Sequence, residues 1–402
     1  MQSRLEIGEY LRRQMNFRKL AKALRALRAL NLVVVKRGPD IDDVLELHPM
    51  VREFVRKRFT PHERLSYIDA IIRVYQRFIG DNRPGLSRRP PLSILQRWTQ
   101  SAELAIEAGK FDEAFSTLAG VGNPFESSGY PREFTRVARL LLSSVDWAAD
   151  HRKFGSFEAV FALQVDILGY LGEYQEIHDL LEIYRSTVPE KDSRYINYCR
   201  MRCSLEWVRG EFGEAVEWGK IGQALKSSGV DTTYNVSHIL ALAERDAGRP
   251  ESALPMFLEG RPLSKVTDPD ELDDDMNGAY YGNIGRCLQF MGQIDSALTC
   301  YQKSALLLEK HAGKELFVNQ GFVRSWVGEV FVARQQLRLA HVFFRAAYIK
   351  WKDVSPPRAT NVTKLLNQIQ ARILADVAIG DAEVEKICMN WILGRKVDDR
   401  FR

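Results

Sequence analysis

A short glycine-based pattern returns along this chain at a nearly fixed interval, and that regularity excludes most globular folds. It reads Gly109-Lys110-Phe111-Asp112-Glu113-Ala114, Gly172-Glu173-Tyr174, Gly210-Glu211-Phe212-Gly213-Glu214-Ala215, Gly248-Arg249-Pro250-Glu251-Ser252-Ala253 and Gly292-Gln293-Ile294-Asp295-Ser296-Ala297. From Gly172 through Gly210, Gly248 and Gly292 to Gln335, a degenerate fifth marker, the spacings are 38, 38, 44 and 43 residues. Self-similarity of that period marks stacked helical hairpins, each too small to bury its own apolar face and so dependent on its neighbours. The glycine falls between the two helices of each hairpin, where its backbone freedom ends the first one. The small alanine in the second helix lets the first approach closely.

The best copy runs Tyr281, Ile284, Gly285, Leu288, Gly292, Ile294, Ala297, Tyr301, Ala305, and a second has Val327, Gly328, Phe331, Ala340, Phe344 and Ala347. This pattern resembles the tetratricopeptide repeat. The other copies are partial: Ile177 stands at the alanine position of the Gly172 repeat, and Gly219 and Gly222 stand where bulk is expected in the Gly210 repeat. The resemblance implies a mainly α fold, an α-α superhelix in which the first helix of each hairpin lines the concave face. Counting from the markers places Asn197, Arg200, Asn235, His238, Arg245, Asn283, Arg286 and Gln289 toward that face. These side chains suit a peptide, an acidic segment or a phosphorylated small molecule; the alternative is ordinary solvated helix positions. The two-carboxylate clamp of chaperone-binding members of that family is not reproduced.

Charge divides the chain. Residues 1–97 carry 21 Lys and Arg against 10 Asp and Glu, a net +11 within a chain whose total is +5. The basic part closes on Asn82-Arg83-Pro84-Gly85-Leu86-Ser87-Arg88-Arg89-Pro90-Pro91, which cannot continue a helix. The expected division is a winged-helix unit over 1–62, a connecting helix with a Pro/Arg-rich linker over 63–91, and the repeat array over 92–402. Within the first unit two helices, about 4–15 and 17–30, precede a β-branched run Leu32-Val33-Val34-Val35-Lys36, a turn at Gly38-Pro39-Asp40, and the extended piece Val44-Leu45-Glu46-Leu47. A helix from Pro49 to about Phe59 follows. In the array, a loop is expected over 121–129, one long helix over 131–150, a capping hairpin from helices over 359–379 and 382–392, and a frayed tail over 397–402.

The stretch Leu45-Glu46-Leu47-His48-Pro49-Met50-Val51-Arg52-Glu53-Phe54-Val55 resembles the close of the winged-helix domain in the STAND class of signal-transduction ATPases, which includes the NB-ARC-like proteins. There a strand runs into a hydrophobic-His-Pro or hydrophobic-His-Asp step and then a helix. The match covers residues 4–59, and helical repeats often follow in that class. The resemblance implies that His48 approaches the β-phosphate of ADP on a neighbouring nucleotide domain; the other reading is a hydrogen-bonded structural histidine. No G-x-x-x-x-G-K-[ST] is present: the Gly-Lys pairs are followed by Phe111, Ile221 and Glu315. The chain is therefore expected not to hydrolyse a nucleotide alone, and a P-loop NTPase domain in cis or in trans is the implied partner.

A rival reading sets Arg18, Lys22, Arg25 and Arg28 on DNA phosphates, with Lys36 and Arg37 in the wing. Base readout needs side chains aimed at base edges, and this stripe is interleaved mainly with Ala and Leu. Catalysis is not expected: there is no H-E-x-x-H, no G-x-S-x-G, and Asp273 and Asp274 fall in an acidic loop. The five cysteines lack a metal-ligand pattern and read as reduced core thiols, so no metal or cofactor is expected. With 45% hydrophobic and 27% charged residues, no membrane-spanning run and no secretory leader, a folded cytoplasmic protein is expected. The functional expectation is a non-catalytic sensor region of a STAND-type regulator, of bacterial type, binding a protein, peptide or small molecule in the concave groove. The alternatives are a winged-helix transcription regulator with a peptide-binding array, or a plain interaction scaffold.

Overall fold

The computed structural model describes residues 22, 25–30, 32–36, 44–82, 86, 89–150, 153–188, 192–310, 317–373, 379–398 and 401. The chain forms two compact units, Met1–Val74 and Tyr75–Arg402. It is mainly helical, as the repeat period requires.

In the first unit, residues 25–29 are helical, and the expected helix over 4–15 lies outside the described residues. Strands β1 (Val33–Lys36) and β2 (Val44–Leu47) pair antiparallel, with Val33 opposite Leu47 and Lys36 opposite Val44. The β-branched run makes one strand and the Leu-Glu-Leu alternation the other. Helix α1 (Pro49–Arg58) starts on Pro49, with His48 as its cap: His48 Nδ1 accepts from the Met50 amide at 3.3 Å. Helix α2 (Pro61–Asn82) opens on a capping box, Thr60 and Glu63 each accepting the other's backbone N–H at 3.3 and 2.8 Å, and the division between the units falls within it.

The second unit is a run of antiparallel hairpins. Helices α3 (Leu92–Glu107) and α4 (Phe111–Ala119) form the first. Then come α5 (Gly122–Ser127), α6 (Pro131–Ser143), α7 (Trp147–Asp150), the pair α8 (Phe157–Leu171) and α9 (Tyr174–Ser186), and the pair α10 (Ser193–Arg209) and α11 (Phe212–Ser227). The next pair, α12 (Val236–Asp246) and α13 (Pro250–Leu258), is followed by the short α14 (Leu263–Thr267). Two further pairs follow: α15 (Gly278–Phe290) with α16 (Ile294–Lys310), and α17 (Phe317–Ala333) with α18 (Leu337–Trp351). Helices α19 (Pro356–Gln370) and α20 (Asp381–Ile392) end the array.

Each marker does the same local work. Gly172, Gly210, Gly248 and Gly292 sit at φ +83, +86, +79 and +78°, and Gln335 at +59°, all left-handed. The residue after each marker donates its N–H to the carbonyl five positions back, from Glu173 to Leu168 at 3.0 Å through to Gln336 to Phe331 at 2.9 Å. This is the bond that closes a helix on a left-handed residue and turns the chain into the next one. Close packing explains a second glycine: a Cβ on Gly285 would lie 2.8 Å from the Tyr301 ring, so the aromatic of the second helix occupies the space a side chain would need. All five cysteines are free and buried, and burial pushes each thiol up to about 12.

Three local expectations are corrected. Residues 131–150 are two helices, because Ser143 and Ser144 turn their hydroxyls back to the Leu140 carbonyl and Asp146 Oδ1 caps a new helix on the Ala148 and Ala149 amides. The segment 121–129 contains α5. The chain end is not loose, since Val397 and Phe401 are buried in the core that runs from Ala241 onward.

The array also curls back on its own beginning. Ser355 Oγ donates to the Tyr170 carbonyl at 2.8 Å, 185 residues away in sequence. A Cβ on Gly172 would meet Pro357 Cγ at 2.6 Å, and one on Gly129 would meet the Phe317 ring at 3.3 Å. The Arg89 guanidinium lies 4.0 Å from the centre of the same Phe317 ring. A seam thus joins α19 and α17 to the early hairpins.

Candidate functional site

The first helices of successive hairpins enclose a cavity of about 520 Å³, a volume in the range of small-molecule sites. Its wall comes from α8, α10, α12, α15 and α17, plus the segment 233–235 that leads into α12. Because the array curls, α8 and α17 face one cavity.

Of the residues placed here from sequence, Arg200, Asn235, His238, Arg245 and Asn283 line it. Asn197, Arg286 and Gln289 do not. Asn197 is fully buried, donating to Glu158 at 3.3 Å and accepting from Arg200 Nε at 3.1 Å. Arg286 pairs with Glu329 and donates to Gln289 at 3.0 Å, and Gln289 also accepts from the Tyr301 hydroxyl. Asn235 has a structural duty as well: its side-chain oxygen caps α12 on the His238 amide at 3.1 Å.

The arginines here arrive with their own counter-ions. Arg245 is buried, holds Asp246 in a two-point pair at 2.7 and 2.8 Å, and donates to Asn283 Oδ1 at 2.6 Å. Asp246 also accepts from Trp207 Nε1 at 2.7 Å. Although burial alone would raise this carboxyl, the guanidinium and its hydrogen bonds hold it below its ordinary range. Arg200 faces Asp166 at 3.4 Å. Behind Asp166, the buried carboxyl of Glu126 is pushed up to about 8, by desolvation first and the Asp166 charge second. His238 is stacked on Tyr280, ring centres 5.0 Å apart and planes 9° off parallel, with Nδ1 buried and unpartnered. Burial, then the Arg245 charge, lowers it to about 4, so it is neutral near pH 7.

The aromatic half of the wall was missed. Trp207, Tyr234, Tyr280, Phe322 and Trp326 line the cavity beside Asn277 and Asn319. The signal was present in the register: Trp326 precedes Gln335 by nine residues, as Asn283 precedes Gly292, and Phe322 precedes Gln335 by 13, as Asn235 precedes Gly248. Polarity does not distinguish them, because they are apolar faces at the same register positions. The amide groups of Asn319 and the Asn283 nitrogen make no hydrogen bond among the described residues, so donors and acceptors are open beside flat apolar faces.

In the first unit, Lys22, Arg25 and Arg28 are exposed, and Arg18 lies outside the described residues. His48 is exposed at the start of α1. Among the described residues no group of His, Cys, Asp and Glu could hold a metal ion, and no helix is long and apolar enough to cross a membrane. No protein-family model matches this chain, and no curated protein matches it in sequence.

Proposed function

We propose that this chain is a non-catalytic sensor: its tetratricopeptide-like array binds a compact polar ligand in the cavity between α8 and α17. The observation that carries this is the composition of the wall, where the open Asn283 nitrogen and the Asn319 amide stand beside the rings of Trp207, Tyr280, Phe322 and Trp326. Flat rings with fixed hydrogen-bonding groups hold a small molecule or a short peptide by face and edge together. Arg200 and Arg245, neutralised by Asp166 and Asp246, stiffen the wall more than they attract charge.

The reading extends to a regulator of the STAND type in which the first unit is a winged helix that passes the ligand state to a P-loop NTPase domain. The hairpin, the His48-Pro49 step and the exposed apolar residues Met50 and Phe54 on α1 and Tyr67, Ile71 and Val74 on α2 support it, since such stripes are faces on which another protein surface packs. The use of His48 Nδ1 as a helix cap supports a structural histidine as much as a phosphate contact.

The test fills the cavity. Ser204 lines it from α10, and Ser204→Phe occupies it with a ring. In a small-molecule thermal-shift screen the wild-type chain should give compounds that raise the unfolding midpoint, as binding to the native state must. The variant should fold and lose those shifts; shifts that survive it would place the ligand elsewhere.

A further inference from the structure

Three asparagines of the cavity wall have their side-chain oxygens already taken. Asn283 Oδ1 accepts from Arg245 Nη1 at 2.6 Å, Asn277 Oδ1 from the Ala279 amide at 2.8 Å, and Asn235 Oδ1 from the His238 amide at 3.1 Å. A guanidinium and a backbone N–H can only donate, so the atom facing each of them is an oxygen and the other end of each amide is its NH2. Asn283, on α15, is the most enclosed of the three at 6% exposure. Its Nδ2 makes no hydrogen bond among the described residues and is not sealed from open space. At these residues the wall offers N–H groups and keeps the oxygens for itself.

Charge on the wall is closed. Arg200 has Asp166, itself a wall residue, and Arg245 has Asp246. Arg358, whose guanidinium packs on the Phe322 and Trp207 rings at 4.5 and 5.6 Å, does not line the cavity. His238 stays neutral near pH 7, because burial and then the Arg245 charge disfavour its cation. An anion entering here meets no wall cation that lacks a carboxylate, and exchanges its hydration for neutral donors alone. A carbonyl oxygen gives up far less hydration for the same bond. Tyr234 stacks on no other ring and meets no cation among the described residues, which leaves its face to a flat guest.

We propose that the ligand of the cavity is an uncharged molecule with a flat body and a carbonyl oxygen, and that this oxygen accepts from Asn283 Nδ2. The inference rests on the cavity being the binding site. A hydroxyl could take the same N–H but brings a proton of its own, and the three asparagine oxygens are not free to receive it. A ring N–H in that place would set donor against donor and leave both unpaired. The class is thus a ring carbonyl compound, such as a lactone or an N-substituted lactam, and neither an acid nor an amine.

Three flat bicyclic probes test this on the full chain at constant ionic strength: coumarin, a ring carbonyl without an N–H; indole, an N–H without a carbonyl; and naphthoate, an acid. The readouts are calorimetric titration and the thermal midpoint. Coumarin should bind saturably and about three- to tenfold tighter than indole or naphthoate, the worth of one hydrogen bond. Asn283→Asp keeps an oxygen for Arg245 and puts a second oxygen where the NH2 was, so it should erase the preference for coumarin over indole. The midpoint of the unliganded variant reports whether it folds, and the wild-type comparison decides without it. No saturable binding of coumarin, indole or naphthoate binding as tightly as coumarin, or an unchanged preference in a folded Asn283→Asp would each overturn the assignment. If the probes bind equally to wild type and Ser204→Phe abolishes them all, the cavity reading stands and the role of Asn283 falls; if Ser204→Phe changes nothing, the cavity reading itself fails.

Discussion

Gln335 is the residue at which the repeat pattern is weakest and the backbone demand is unchanged. At φ +59° it does what four glycines do at +78 to +86°, and its side chain adds only an exposed 3.1 Å hydrogen bond accepted from Arg372. A side chain in that conformation is strained by about 1 kcal/mol. Gln335→Gly should therefore raise the free energy of unfolding by about 0.5–1 kcal/mol, read from urea denaturation; a loss of stability would show that the Arg372 contact outweighs the strain. The degenerate marker could be placed from sequence because spacing alone predicts where the turn must fall. Asn197 could not, since the same spacing also fits a buried amide tied to Glu158 and Arg200. Arg358 was invisible for another reason: nothing local in Pro-Pro-Arg-Ala says that the residue is brought against Trp207 and Phe322.

Individual helices were legible where their ends carry chemistry. The paired helices of the Gly210 and Gly292 repeats followed from glycine and apolar spacing, whereas the break between α6 and α7 depends on serines that bond backward and an aspartate that caps forward. The same logic separates two roles at α12. Asn235 lines the cavity and also caps the helix, so its loss acts through structure before it acts through recognition. Asn235→Ala should cost about 1 kcal/mol of stability, while Asn235→Asp, which keeps the accepting oxygen, should cost less than half of that in the same denaturation experiment. Equal losses in both would mean that the cap is not what the side chain supplies. Aromatic wall residues belong to this scale too: the helix register that locates Asn283 also locates Trp326, and polarity alone does not mark a ring as a wall residue.

Across the second unit, the closure between α8 and α19 is the feature that no repeat pattern announces. Period and spacing fix how each hairpin meets the next, and they leave the curvature summed over many hairpins open. Gly172 and Gly210 isolate it. Both hold left-handed backbone, but a Cβ on Gly210 meets open space and one on Gly172 meets Pro357 at 2.6 Å. Gly210→Ala should thus lose about 1 kcal/mol for its backbone alone, and Gly172→Ala about 1–3 kcal/mol more for crowding the seam. Similar losses in the two would mean that the contact yields freely.

An open stack of hairpins melts from its tips, one neighbour at a time, because each unit is held only by those beside it. Tying residue 355 to residue 170 leaves hairpins α10 to α18 without a free tip from which to peel. Heat should take them apart in a single cooperative step, like a chain link that must be cut before it can straighten.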